Sequence, residues 1–225
     1  MLMIVKLVTC DVLPGNRDRF AQGQCAWATL SGVAGFCGQV GGWSKEEPGR
    51  AVIVGFWRDQ GSYDGFMRDV HDSIFDANGQ RGSYTSGSVT LWEELCEMPG
   101  ARETLTESLQ AASLIRTIRC CVRQDRVEHF QRIQRDVWRS NMRRSEGMLG
   151  GIFARGCHAP NRFLVCTFWR TEELYDRYRT EILPGLRAQA QPDGDCESML
   201  GLTVRLELSW TVQPELGDSG IAPSV

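Results

Sequence analysis

The feature that most constrains this chain is an internal repeat. Two apolar runs end in Phe-Trp-Arg, at residues 56–58 and 168–170, so Trp57 and Trp169 lie 112 positions apart. The same spacing separates two Gly-x-x-Gly segments, and further matches occur in the same order at spacings of 110 to 115. Short insertions in loops account for a drift of this size. The chain is therefore predicted to hold two copies of one structural unit.

Each copy shows the same order of hydrophobic periods. Apolar and β-branched residues predict a strand at 3–12 and another at 114–123. A helix follows in each copy, then two strands, at about 36–43 and 50–58 and at about 148–155 and 162–169. A second helix is predicted at about 60–77, and Pro184 should interrupt its counterpart. A last strand closes each copy, and in the second its inward residues are predicted to continue through Leu208 and Trp210. This order, βαββαβ, is the ferredoxin-like unit.

Such a unit leaves one sheet face uncovered, because its two helices can cover only the other. A bare apolar sheet face would aggregate, and the second copy is the simplest partner for it. The predicted fold class is therefore α+β, with two tandem ferredoxin-like units packed sheet to sheet inside one chain. The predicted boundaries are 1–94 for the first repeat, 95–113 for a linker, 114–212 for the second repeat and 213–225 for a disordered tail.

Composition limits the partners of this chain. A net charge of −3 argues against a general nucleic-acid binder, and no apolar run reaches the ~20 residues that span a bilayer. The first residues lack the pattern of a signal peptide, so a cytoplasmic location is expected. Nine cysteines without a C-x-x-C pair are more typical of small buried side chains than of a metal site. We expect a small-molecule substrate, no cofactor, no metal, and either a monomeric pseudo-dimer or a homodimer.

Three motifs of the first copy carry a resemblance to a known family. The stretch at 35–43, the strand end at 55–58 and the helix segment at 63–67 resemble the antibiotic-biosynthesis-monooxygenase-like superfamily of dimeric α+β barrels. The segments at 70–75 and 89–93 resemble an uncharacterised bacterial subgroup of it. The resemblance covers nearly all of residues 1–94 and is weaker in the second copy.

The resemblance implies a fold more firmly than a function. Some members of the superfamily are cofactor-independent monooxygenases that oxidise phenolic polyketides in antibiotic biosynthesis, and others bind or degrade haem. The leading hypothesis is an oxygenase-like enzyme that acts on an aromatic or polyketide-like compound. The alternative is a non-catalytic protein that binds haem or a metabolite. The haem-degrading members use a tryptophan on the second helix and a histidine ten residues later, whereas Phe66 and Asp76 stand there in this chain.

His71 is the candidate catalytic residue. It flanks the apolar face of the second helix, and an imidazole titrates near neutral pH, so it could move a proton to or from a substrate. The alternative is a helix histidine bonded to Asp72. Its counterpart in the second copy is Leu183, which confines any such site to the first copy.

The remaining candidates are predicted to line a substrate cleft of the first copy. Aromatic walls suit a flat substrate, and a few amides would orient it, although core packing explains aromatic residues equally well. The predicted substrate-binding residues are Trp27, Trp43, Trp57, Phe66, Asn78 and Gln24. The first copy is expected to have the more open cleft, because the second carries Leu183, Pro184 and Leu186 at the corresponding helix end.

Overall fold

The computed structural model describes residues 2–215, and its strands close into a single antiparallel barrel. The predicted tail from 216 onward lies outside the described residues. The strands are β1 (Ile4–Val12), β2 (Phe36–Ser44), β3 (Arg50–Trp57), β4 (Tyr84–Pro99), β5 (Leu114–Val122), β6 (Met148–Gly156), β7 (Ala159–Trp169) and β8 (Cys196–Leu206). The prediction of an α+β fold is confirmed, because helices and strands are both present and the eight strands form a closed barrel.

The order of strands around the barrel is β1-β3-β2-β8-β5-β7-β6-β4. The first four strands along the chain run β4-β1-β3-β2, and the last four repeat that order as β8-β5-β7-β6. Two seams join these halves, and they differ in length. Seven residue pairs connect β4 to β6, whereas three connect β2 to β8, from Gly42↔Leu206 to Ser44↔Val204.

Helices lie outside the barrel in both halves. They are α1 (Arg17–Cys25), α2 (Gln60–Asp69), α3 (His71–Ala77), α4 (Leu105–Ala111), α5 (Val127–Ile133), α6 (Ser140–Met142), α7 (Glu172–Arg177), α8 (Leu183–Ala190) and α9 (Pro192–Asp195). The predicted helix at 60–77 divides at Val70, whose φ of −128° is not helical. In the second half, π-helical turns at Gln134–Arg139 and Tyr178–Ile182 widen the helices, and Pro184 lies in the first turn of α8.

Strand alternation separates an inner core from outer cores. On β1, Val5 and Leu7 face the barrel interior, while Ile4 and Cys10 face the helices. Both halves contribute to the inner core, where the rings of Phe56 and Phe168 meet at 5.9 Å. The two sheets therefore bury each other's apolar face, as a bare sheet face requires.

The segment predicted as a linker, residues 95–113, contains the end of a strand and a helix. Strand β4 continues through Pro99 along β6, so the strand itself crosses from one half to the other. Helix α4 follows, and its N-terminus carries a capping box formed by Thr104 and Glu107. Leu109 of this helix packs into the barrel core.

One strand prediction is wrong at its end. Strand β8 ends at Leu206, and Leu208 is 86% exposed in a 3₁₀ turn that runs to Trp210. The chain then folds back along β2, where Val212 bridges Gln39. Trp210 is fully buried against Trp43 and Phe20, so it fills the first half and not the second. The alternation of apolar and polar residues predicted a longer strand because it carries no signal for the chain folding back along β2. No helix of residues 2–215 combines the length and hydrophobicity needed to cross a membrane.

Candidate active site

A cavity of about 140 Å³ lies between the sheet and helices of the first half, and we call it the first cavity. Its lining includes Gln24, Trp27, Trp57, Phe66 and His71, five of the seven residues predicted for the site. Trp57 stacks on Phe66 at 4.6 Å, and the ring of Trp27 lies 5.6 Å from that of His71. An engineered apolar cavity of about 150 Å³ holds one benzene ring. The first cavity therefore matches a ligand of one aromatic ring.

Trp43 and Asn78 do not line this cavity. Trp43 packs in a separate cluster, with Trp210 at 5.3 Å and the guanidinium of Arg17 at 4.0 Å from its ring. The amide oxygen of Asn78 accepts a bond of 2.9 Å from the backbone N–H of Gln80. Asn78 therefore supports Gln80, which does reach the cavity and accepts the indole N–H of Trp27 at 3.3 Å.

Lys6 lines this cavity and is absent from the predicted site. Strand β1 directs its side chain toward the helices, where its Nζ lies 5.4 Å from the ring centroid of Phe66 and 5.8 Å from that of Tyr63. Burial lowers the pKa of its ammonium group to about 8. The side chain has no ion-pair or hydrogen-bond partner among the described residues. Its place between Ile4 and Val8 on one face of β1 was the available signal, because a lysine on a helix-covered face is rare.

His71 lies at the edge of the same cavity, with its side chain 20% exposed. Its Nδ1 is 2.9 Å from Oδ1 of Asp72, and its ring stacks on Phe75. A proton on Nδ1 in that hydrogen bond leaves Nε2 able to accept another proton. Phe66 is a neighbour of both Lys6 and His71, with its ring 5.6 Å from that of His71.

Three further polar groups of the first cavity lack partners within residues 2–215. Gln24 is 6% exposed, and its amide makes no hydrogen bond. Trp57 is 1% exposed, and its indole N–H has no acceptor. Gln39 donates to the carbonyl oxygen of Trp210 at 3.5 Å, but its Oε1 has no donor. Each of these residues lines the cavity, where a ligand can pair the free group, and a few polar groups directed into an apolar cavity are the pattern of a ligand site.

The corresponding space in the second half is larger than the first cavity. This second cavity has a volume of about 380 Å³. Gln80 and Trp27 narrow the first cavity, whereas π-helical turns hold the helices wider in the second. Leu183 is half-buried and lines the second cavity instead of filling it.

The two cavities differ in polar groups at matched positions. Arg116 stands where Lys6 does, and Leu183 where His71 does. Trp169 matches Trp57, but its indole N–H donates to the hydroxyl of Thr167 at 3.0 Å. Among the described residues, no three His, Cys, Asp or Glu side chains group as metal ligands would.

Comparison with known proteins identifies the family. Residues 4–92 match the domain of unknown function DUF4937. The uncharacterized protein YdbC of Bacillus subtilis (strain 168) is 40% identical over 94 residues, which is 41% of this chain and 79% of YdbC. The chain belongs to the DUF4937 family. The match to this family lies in the half that contains the first cavity.

Solved structures extend the likeness of this DUF4937 protein to both halves. A proposed monooxygenase of Lactobacillus acidophilus superposes with a TM-score of 0.72 at 14% identity, covering 95% of this chain and 97% of that one. An anthrone oxidase-like protein superposes with a TM-score of 0.68 at 8% identity, and the match covers 95% of this chain and 94% of that one. These identities show the fold alone: a mixed α+β fold whose strands close into a barrel.

Proposed function

We propose that the chain is a monooxygenase-like oxidoreductase that oxidises a single-ring phenolic compound in the first cavity. The observation that carries the proposal is the convergence of Lys6, His71 and the unpaired indole N–H of Trp57 on a cavity of about 140 Å³. The names of its structural relatives, a proposed monooxygenase and an anthrone oxidase-like protein, support the reaction class.

The residues have distinct roles in this proposal. His71 accepts the phenolic proton at Nε2, and the ammonium of Lys6 and the indole N–H of Trp57 stabilise the phenolate oxygen. Gln24 orients the ring through its amide. The apolar walls exclude water, which strengthens each of these interactions.

The electrons for the reaction come from the substrate. The phenolate passes one electron to O₂, and the resulting superoxide and phenoxyl radical combine at a ring carbon. The peroxide takes a proton and loses water as that carbon loses its hydrogen, leaving a quinone. One oxygen atom enters the product and the other leaves as water, so a phenol and O₂ give a quinone and H₂O without another reductant.

Oxygen uptake tests the proposal. The purified chain would be incubated with a panel of single-ring phenols and hydroquinones, and ¹⁸O₂ would report one labelled atom in the quinone. His71→Ala should lower the rate by about 10²-fold or more, the usual contribution of a positioned base. The matched control is His158→Ala, since His158 is exposed in the β6–β7 turn. Equal rates in the two variants would remove His71 from the mechanism.

The alternative function is binding without turnover. Ligand binding with no oxygen uptake by the wild type would favour a metabolite-binding protein. A Soret shift on haem titration that His71→Ala abolishes would favour haem binding. The volume of the first cavity opposes the haem alternative, because a tetrapyrrole is far larger than one ring.

The organisation of the chain forms part of the proposal. Residues 1–94 and 114–212 are proposed to be tandem ferredoxin-like repeats, so that one chain supplies what two subunits supply in a dimeric barrel. The repeated strand order and the repeated pairings of β1 with β3 and of β5 with β7 support this. A monodisperse monomer of 25.2 kDa in sedimentation would agree with it.

A further inference from the structure

The second cavity combines apolar walls with positive charge. Its volume of about 380 Å³ falls in the range of small-molecule sites, roughly 300–1,000 Å³. Phe130, Trp138, Met142 and Met199 contribute to the walls. Methionine side chains adapt to irregular ligands, so these walls suit an apolar body of more than one ring.

All charged side chains that line the second cavity are arginines, namely Arg116, Arg179 and Arg187. Arg179 and Arg187 lie near the surface, where Asp176 and Asp193 pair with them at 3.4 and 3.1 Å. Arg116 is the inner cation, with its side chain 24% exposed. Its Nη1 contacts Glu46 at 3.0 Å and the hydroxyl of Thr203 at 3.1 Å.

The strand beneath Arg116 is shaped to hold that guanidinium. A Cβ at Gly201 would overlap the guanidinium of Arg116 where it now lies, so the glycine leaves room for that side chain to cross β8 at this point. Gly201 and Arg116 both line the cavity. The planar guanidinium can bind a carboxylate or sulfonate through its remaining N–H groups.

Two uncharged groups of the second cavity also lack partners within the described part of the chain. Gln134 is 5% exposed, and its amide makes no hydrogen bond. The hydroxyl of Tyr178 makes none either, and burial raises the pKa of that group, so it remains a neutral donor. Both side chains line the cavity, where a ligand that accepts and donates hydrogen bonds can pair them.

We infer that the second cavity is a binding site for an apolar acid, a molecule with one carboxylate or similar anion on a body larger than a single ring. The anion contacts Arg116, and the body lies among the methionines and aromatic rings. The site is separate from the first cavity, and its ligand differs in size and charge from the phenol proposed there.

Paired probes of matched size test the site. The anionic probe is 1-anilinonaphthalene-8-sulfonate, and the neutral one is N-phenyl-1-naphthylamine, which lacks only the sulfonate. Both fluoresce in apolar surroundings, and we expect both to bind the folded wild type. Arg116→Gln should weaken binding of the anionic probe tenfold or more and leave the neutral probe within about twofold.

Two further variants complete the test. Leu183→Trp fills the cavity and should weaken both probes, whereas His71→Ala should change neither, which separates this site from the first cavity. Near-ultraviolet circular dichroism checks that each variant is folded. Loss of the neutral probe together with the anionic one in Arg116→Gln, or unchanged binding of both probes in Leu183→Trp, would overturn the inference.

Discussion

The indole N–H of Trp169 donates to the hydroxyl of Thr167, two residues earlier on the same strand, at 3.0 Å. Gly55 stands at the matching position before Trp57 and offers no acceptor. The indole N–H of Trp92 likewise donates to the hydroxyl of Thr90, at 3.0 Å. Trp92 and Trp169 therefore each donate to a threonine two residues earlier, whereas Trp57, which lines the first cavity, has no such partner.

Gly55→Thr should therefore lower the activity of the first cavity and leave the fold intact. A Cβ at Gly55 fits without a clash, since its nearest neighbours would be Nε1 of Trp57 at 3.9 Å and Oε1 of Gln39 at 4.0 Å. We expect oxygen uptake to fall tenfold or more, because the hydroxyl takes the indole N–H and occupies the cavity. The free energy of unfolding should stay level or rise by up to about 1 kcal/mol, since glycine weakens a strand.

Thr167→Gly provides the reverse comparison. It leaves a buried indole N–H unpaired in the second half and should lower the free energy of unfolding by about 1–3 kcal/mol while sparing oxygen uptake. Urea denaturation measures the first quantity and an oxygen electrode the second. If Gly55→Thr retained full activity, the unpaired N–H of Trp57 would have no role.

Lys6→Met should stabilise the protein at neutral pH. Burial lowers the Lys6 pKa from 10.5 to about 8, so below pH 8 the folded state carries a buried ammonium group that the unfolded state holds in water. One pKa unit corresponds to about 1.4 kcal/mol, and we expect a gain of about 1–3 kcal/mol at pH 7.

The gain from Lys6→Met should shrink as the pH rises. Between pH 8 and 10.5 the unfolded state binds more protons at Lys6 than the folded state, so the wild type gains stability in that window and the variant does not. Unfolding by urea at pH 7 and pH 10 measures the difference. Lys45→Met is the control, because Lys45 forms a surface ion pair with Glu172 and should show little effect. An equal gain at both pH values would contradict the prediction.

Gly42→Ala should open the shorter seam of the barrel. A Cβ at Gly42 would lie 1.9 Å from the carbonyl oxygen of Arg205 on β8, and a backbone atom cannot move aside as a side chain can. We expect a loss of about 1–3 kcal/mol in the free energy of unfolding, the usual cost of overpacking. Amide exchange should accelerate first in residues 42–44 and 204–206. Gly15→Ala, with nothing within 4 Å of the new Cβ, should leave both measurements unchanged.

The sequence predicted the elements well because their periods are local. The strands at β1, β3 and β5 agree with their predicted ranges within one or two residues. The alternation of residues along β1 also predicts that the side chain of Lys6 points toward the helices. The relative cavity sizes could not be predicted, because they depend on how Gln80 and Trp27 fold inward and where π-helical turns occur. Trp43 was wrongly predicted to line the cavity because its packing partner, Trp210, is distant in sequence. The local sequence around Trp43 does not show that the chain folds back to bring Trp210 against it.

The inner face of the first half has a consequence for synthesis. Val5, Leu7 and Phe56 are buried against strands that follow them by more than 50 residues, and the β2–β8 seam forms only after residue 206 has been made. At roughly 5–20 residues per second, a ribosome needs about ten seconds to add the second half. During that time an apolar sheet face is exposed on every nascent chain. Two neighbouring nascent chains can cover that face by pairing with each other, so slower translation of the second half should favour mispaired dimers over the closed barrel.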